Sequence, residues 1–152
     1  MLEDNPQLIA VDITGYGETD YRDMKAYDFL VQSESGLVSV SGAPDAPGRI
    51  GVSIVDMGTG MNVYAGVLEA LPLRNKTGKG SHLQISMFDT AAEWMHVPLA
   101  HYEFGGKAPQ PVGLNHPSIA PYGGYATKDG IVIISIQTVS YTHLTLPTIY
   151  SV

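Results

Sequence analysis

Residues 54–87 read IVDMGTGMNVYAGVLEALPLRNKTGKGSHLQISM. Met57, Met61, Tyr64, Val67, Leu68 and Leu71 recur at helical spacing, which predicts a helix over Met57 to Arg74. Asp56 stands where an N-cap would stand, since a short carboxylate can accept a hydrogen bond from the free amides of a first turn. Pro72 lies near the end of the pattern, and Thr77-Gly78-Lys79-Gly80 is a firm stop. Ser81 to Met87 then alternates, as a strand does.

Upstream, Gln7 to Thr14 is a short apolar run ending at Gly15-Tyr16-Gly17, a buried strand and its loop. Asp20 to Tyr27 is a polar loop, and Asp28 to Val40 reads as a short helix. Gly42 to Gly51, with Pro44 and Pro47, is a loop. Downstream, Thr90 to Phe104 predicts a second helix kinked at Pro98. Gly105 to Gly113 has the Pro and Gly content of a linker between domains. Ala120 to Ile136 reads as a hairpin turning at Lys128-Asp129-Gly130.

The last fourteen residues, VSYTHLTLPTIYSV, do not match what precedes them. Val139 to Thr148 reads as the in-frame translation of a transposon-type sequencing adapter, because every residue of that decapeptide fits the oligonucleotide's codons. Residues 139–152 are therefore expected to be a non-native tail, with Tyr141 and His143 carrying no function. The alternative is a genuine Thr-rich terminal strand.

Composition excludes several classes. Hydrophobic residues at 44% and charged residues at 15% mark a globular chain rather than a disordered one. Eight Lys and Arg against fifteen Asp and Glu leave a formal charge of -7, which argues against a nucleic-acid face but leaves room for local cationic pockets. The absence of Cys removes disulfides and cysteine metal sites. His82, His96 and His101 lack the spacing of a metal set, so no metal is expected. No apolar run approaches the ~20 residues a membrane span needs, and Met1 to Pro6 lacks the features of a signal peptide. A cytoplasmic protein with no membrane or nucleic-acid partner is the expectation.

Several motifs resemble the class III CoA-transferase family. They are Asp56-Met57-Gly58-Thr59-Gly60-Met61, Gly66-Val67-Leu68-Glu69-Ala70-Leu71, Arg74-Asn75-Lys76-Thr77-Gly78-Lys79-Gly80 and Ile85-Ser86-Met87-Phe88-Asp89, in the family's order. Ile13-Thr14-Gly15-Tyr16-Gly17, Lys25-Ala26-Tyr27-Asp28 and Glu34-Ser35-Gly36 add to the match, which covers roughly residues 5 to 138. The resemblance implies an α/β fold, a Rossmann-like large domain followed by the start of a smaller one. Residues 1–104 would belong to the large CoA-binding domain, 105–118 to a linker and 119–138 to the small domain. It also implies an internal fragment, with N- and C-terminal parts missing, of an intertwined homodimer.

The implied reaction moves coenzyme A between carboxylic acids through an aspartyl intermediate. An acyl-CoA is the donor, a carboxylic acid the acceptor, and no cofactor is held permanently. A carboxylate nucleophile divides the exchange into easier steps and needs small neighbours so that a bulky thioester can approach. Asp56 would be that nucleophile, beside Gly58 and Gly60, at a helix start whose amides could stabilise an oxyanion. Spacing alone reads Asp56 as a helix cap; the resemblance makes it catalytic, and the two roles are compatible. Lys25, Tyr27 and Met87 match positions at the CoA site. Outside that context they read as a solvated lysine, a half-buried tyrosine and the end of a buried strand. Asp28 is a candidate second carboxylate or a surface charge. His116 is a candidate contact to the acyl group or acceptor. Gly123 and Gly124 match a mobile glycine loop, with a tight turn as the plainer reading. Arg74, Lys76 and Lys79 lack phosphate-loop spacing and read as a solvated turn.

Two rivals stand beside transfer. One is an α-proton racemase of the same superfamily, whose members are similar in placing a His where this chain has Tyr27. A phenol is a poor base near neutral pH, which favours transfer. The other is an inactive truncated fragment.

Overall fold

The computed structural model describes residues 4–137, so the 139–152 tail lies outside the described residues. Contacts divide the chain into two compact units, one ending at Pro111 and the other starting at Val112.

In the first unit, Ile9–Thr14 forms strand β1. It ends in a tight turn where Gly17, at φ 65°, donates its N–H to Thr14 Oγ1 at 3.0 Å. The single helix expected over Asp28 to Val40 is two, α1 (Asp28–Glu34) and α2 (Leu37–Val40). Gly36 between them has φ 87°, a left-handed backbone that stops a helix. The loop that follows holds a small antiparallel ladder of β2 (Gly42–Ala43) and β3 (Ala46–Pro47).

Helix α3 spans Ile54–Thr77, longer at both ends than its apolar pattern. Ser53 occupies the N-cap position and Asp56 is the third helical residue, so Asp56 is not the cap its position in the sequence predicted. Pro72 is inside the helix but exposed, where water can serve the carbonyl its missing N–H leaves free. Gly78, at φ 71°, ends α3 by donating its N–H to the Arg74 carbonyl at 2.8 Å. Arg74 and Lys76 lie in the last turn, where cations meet the negative end of the helix dipole.

Strand β4 (Ser81–Ser86) pairs in parallel with β1, in register from Ile9 opposite Ser81 to Thr14 opposite Ser86. Parallel neighbours need a long crossover, here α1, α2 and α3. Ser86 caps the next helix, α4 (Met87–Glu93), its Oγ accepting the Asp89 N–H at 3.1 Å. Met87 therefore opens a helix rather than ending a strand. The helix expected over Thr90 to Phe104 breaks at Trp94–Met95, not at Pro98. Pro98 falls in the first turn of α5 (His96–Gly105), where a missing N–H is tolerated.

The core of this unit joins Tyr16, Val31, Leu37, Val55, Ala91 and Met95, with Ala26, Val40, Ile54, Met87 and Phe88 packed against it. It lies beneath the first turn of α3, since Val55 is fully buried and Asp56 beside it is exposed. The periodic residues of α3 are not its buried ones. Met57, Met61, Tyr64 and Leu68 are largely exposed, whereas Val55, Gly58, Thr59 and Ala70 are buried. Small side chains let α4 and Trp94 approach the helix closely.

The second unit contains an antiparallel hairpin of β5 (Tyr122–Ala126) and β6 (Ile131–Ser135). Thr127 closes its turn by donating an N–H to the Gly130 carbonyl at 2.8 Å.

Candidate functional site

The start of α3 is tied down from another helix. Asp28, the first residue of α1, is only 7% exposed. Its Oδ1 accepts the Val55 N–H at 2.9 Å and its Oδ2 accepts a Gln32 Nε2–H at 2.7 Å. The Arg49 guanidinium stands 3.7 Å from Oδ2. Fully buried Gln32 in turn accepts the Ile50 N–H on its Oε1 at 2.8 Å. A buried carboxylate is stable only when paired and hydrogen-bonded, and this one is both. Asp28 is thus no surface charge. It caps α3 from outside the helix and joins α1 to the segment that leads into α3.

Asp56 stands on the solvent side of the same turn. Its carboxylate makes no hydrogen bond or ion pair with any described residue. The two neighbouring glycines differ. A Cβ at Gly58 would lie 2.5 Å from the Trp94 ring, so this glycine makes room for the core. A Cβ at Gly60 would meet nothing within 4 Å. Gly60 follows Asp56 by four positions and shares its face of the helix, so that face is open one turn beyond the carboxylate.

Tyr27 is the N-cap residue of α1 and 67% exposed, rather than half-buried. Tyr27 precedes Asp28 and Asp56 follows Val55, so each is one residue in the chain from a member of the Asp28–Val55 hydrogen bond. Lys25 is exposed two residues before Tyr27. Met87 is half-buried against the core.

A cleft of about 450 Å³ opens at the carboxyl ends of β1 and β4, where open α/β sheets commonly take ligands. Tyr16, Tyr21, Met24 and Phe88 give it apolar walls, but Asp20, Glu34 and Asp89 make it acidic and unsuited to a phosphate. Asp56 does not line it. Among the described residues, no group of three His, Cys, Asp or Glu side chains could hold a metal ion.

The remaining candidates lie in the second unit. The His116 ring packs against Tyr122 with centroids 5.0 Å apart and planes tilted by 57°, and its Nδ1 accepts the Ser118 N–H at 3.1 Å. Gly123 and Gly124 belong to neither a loop nor a turn but to β5, opposite Ile134 and Ile133. A Cβ at Gly123 would fall 2.2 Å from Asn115 Oδ1, so the strand lies close against the segment before it.

Sequence reading missed Gln32, Arg49 and Trp94. Gln32 carried a signal, four residues after Asp28 on one helix face. Arg49 and Trp94 act across long separations, and no local spacing marks them.

The family model described as CoA-transferase family III matches residues 1–147. The succinate–glutarate CoA-transferase of Agrobacterium fabrum is 34% identical over 134 residues, 87% of this chain and 34% of that protein. The acetyl-CoA:oxalate CoA-transferase of Acetobacter aceti is 36% identical over 133 residues, 86% of this chain and 34% of that protein. A crystal structure of a CAIB/BAIF family protein from Brucella suis superposes with a TM-score of 0.80 at 38% identity, over 88% of this chain and 36% of that one. The chain thus spans about a third of the length of these relatives.

Proposed function

The chain belongs to CoA-transferase family III, and on that premise we propose that the full-length protein transfers coenzyme A between carboxylic acids with Asp56 as nucleophile. The observation that carries this reading is the open carboxylate of Asp56. It lies on the first turn of a rigid helix, with an unobstructed glycine one turn further on.

An Asp56 carboxylate oxygen attacks the carbonyl carbon of an acyl-CoA. The C–S bond breaks, CoA thiolate leaves and a mixed anhydride forms. The thiolate then attacks the Asp56 carbonyl and expels the donor acid, leaving an aspartyl-CoA thioester. The acceptor carboxylate attacks that thioester, and the thiolate released takes the acceptor's acyl group as the new acyl-CoA. Asp56 returns as a carboxylate and no proton is consumed. Covalent division of the exchange is the source of the acceleration. Tyr27 would border the thioester, and Lys25 would meet an oxygen of the pantetheine or a phosphate. Dicarboxylates are the proposed acid class, because relatives are named for succinate, glutarate, oxalate and mesaconate.

The test supplies the full-length protein with succinyl-CoA or acetyl-CoA and one of glutarate, oxalate or mesaconate, and follows the new acyl-CoA by chromatography. Formation of acceptor-CoA that disappears in Asp56→Ala supports the reading. Hydrolysis without transfer, or transfer unchanged in Asp56→Ala, contradicts it.

A further inference from the structure

The start of α3 has a sequence and a bonding pattern that disagree. Ser53 and Asp56 are spaced as a capping box, S-x-x-D. In a closed box the Ser53 hydroxyl accepts the Asp56 N–H, and the Asp56 carboxylate turns back to accept the Ser53 N–H. Neither bond is present: the Ser53 side chain makes no capping bond, and the Asp56 carboxylate has no partner among the described residues. Ser53 has φ -74° and ψ 67°, away from the extended backbone a side-chain cap adopts. It is an inverse γ-turn, closed by the Ile54 N–H donating to the Val52 carbonyl at 2.8 Å, and the residues on either side of it are anchored. Gln32 fixes Ile50 through its N–H, and Asp28 fixes Val55 through its N–H.

We propose that Asp28 is a positioning residue that holds the capping box open, so that the Asp56 carboxylate stays free to attack a thioester. This rests on the reading of Asp56 as the nucleophile. With Asp28 removed, the Val52–Asp56 segment relaxes, Ser53 becomes an ordinary N-cap and Asp56 is drawn back onto the Ser53 amide. A carboxylate held in this way must break a charge-assisted hydrogen bond before it attacks, which slows it by about 10- to 100-fold.

The experiment measures kcat and KM of the full-length protein with succinyl-CoA and the acceptor that turns over, in Asp28→Ala, Ser53→Pro and the double variant. Proline suits the Ser53 φ of -74° and removes the N–H that a closed box needs. Asp28→Ala is expected to lower kcat by about 10- to 100-fold with little change in KM. Ser53→Pro alone is expected to stay within about twofold of wild type, and the double variant to recover most of the lost kcat. A residue that merely stabilises the fold would not be rescued by a second substitution. If Asp28→Ala does not fold, Gln32→Met releases the Ile50 end of the same segment, and its rescue by Ser53→Pro makes the same comparison. A double variant no faster than its parent, or Asp28→Ala with wild-type kcat, overturns the proposal. Asp56→Ala separates the two readings: retained activity there removes the nucleophile itself, whereas its loss together with failed rescue removes only the role of Asp28.

Discussion

Asp28 Oδ1 accepts the Val55 N–H at 2.9 Å, so the first amide capped in α3 is served by a side chain 27 residues away in the chain. Asp28→Ala removes this cap and strips Gln32 and Arg49 of their carboxylate partner. Losing a cap costs about 1 kcal/mol, and leaving buried Gln32 without its carboxylate partner costs about 1–3 kcal/mol more, while exposed Arg49 turns to water. The denaturant midpoint of the full-length protein should fall accordingly. An unchanged midpoint would place the stability of α3 elsewhere.

Gly58 and Gly60 should separate stability from activity. In Gly58→Ala the new methyl meets the Trp94 ring at 2.5 Å, and overpacking of this kind costs about 1–3 kcal/mol. Gly60→Ala meets nothing and gains about 0.5–1 kcal/mol of helix propensity. If the thioester passes over Gly60, that more stable variant is the slower enzyme, with kcat/KM reduced by about tenfold or more. Thermal melting and steady-state rates on both variants check the contrast.

Gly80, just before β4, packs backbone to backbone against the segment just before β1. Its N–H donates to the Pro6 carbonyl at 2.7 Å, and a Cβ there would lie 1.8 Å from the Leu8 carbonyl oxygen. That neighbour is main chain and cannot swing away. Gly80→Ala should cost about 3 kcal/mol, at the upper end of overpacking, whereas Gly105→Ala, with open space around it, should leave stability nearly unchanged.

Tyr27 bears on which reaction the site runs. A phenol cannot readily remove an α-proton near neutral pH. Incubated with succinyl-CoA in deuterated water, the full-length protein should leave the α-carbon undeuterated while transfer proceeds. Deuterium entering faster than transfer would point to proton abstraction, as a racemase requires.

Helix α3, the two strands and the hairpin were legible because hydrophobic periodicity and glycine stops are local signals. The buried face of α3 was not. Its exposed residues Met57, Met61 and Tyr64 carry the strong period, while Gly58, Thr59 and Ala70 meet the core and are too small to register. The cap was misread for a related reason. Asp56 has the right residue type at the right place, but Asp28 serves the amide through the tertiary fold, and only contact can reveal that. Pro98 was misread as a kink because a proline in a first turn needs none, and the break lies instead at Trp94–Met95. Gly123 and Gly124 read as a turn by composition, yet pairing with Ile134 and Ile133 places them in a strand.

The central claim is that Asp56 becomes covalently acylated. Incubating the full-length protein with succinyl-CoA and hydroxylamine, followed by peptide mass spectrometry, tests it most directly, since hydroxylamine converts an activated aspartyl carbonyl to a stable hydroxamate. A hydroxamate on Asp56 that requires succinyl-CoA is the predicted result. A clean Asp56 in enzyme that is turning over, or a hydroxamate confined to another carboxylate, would contradict the account.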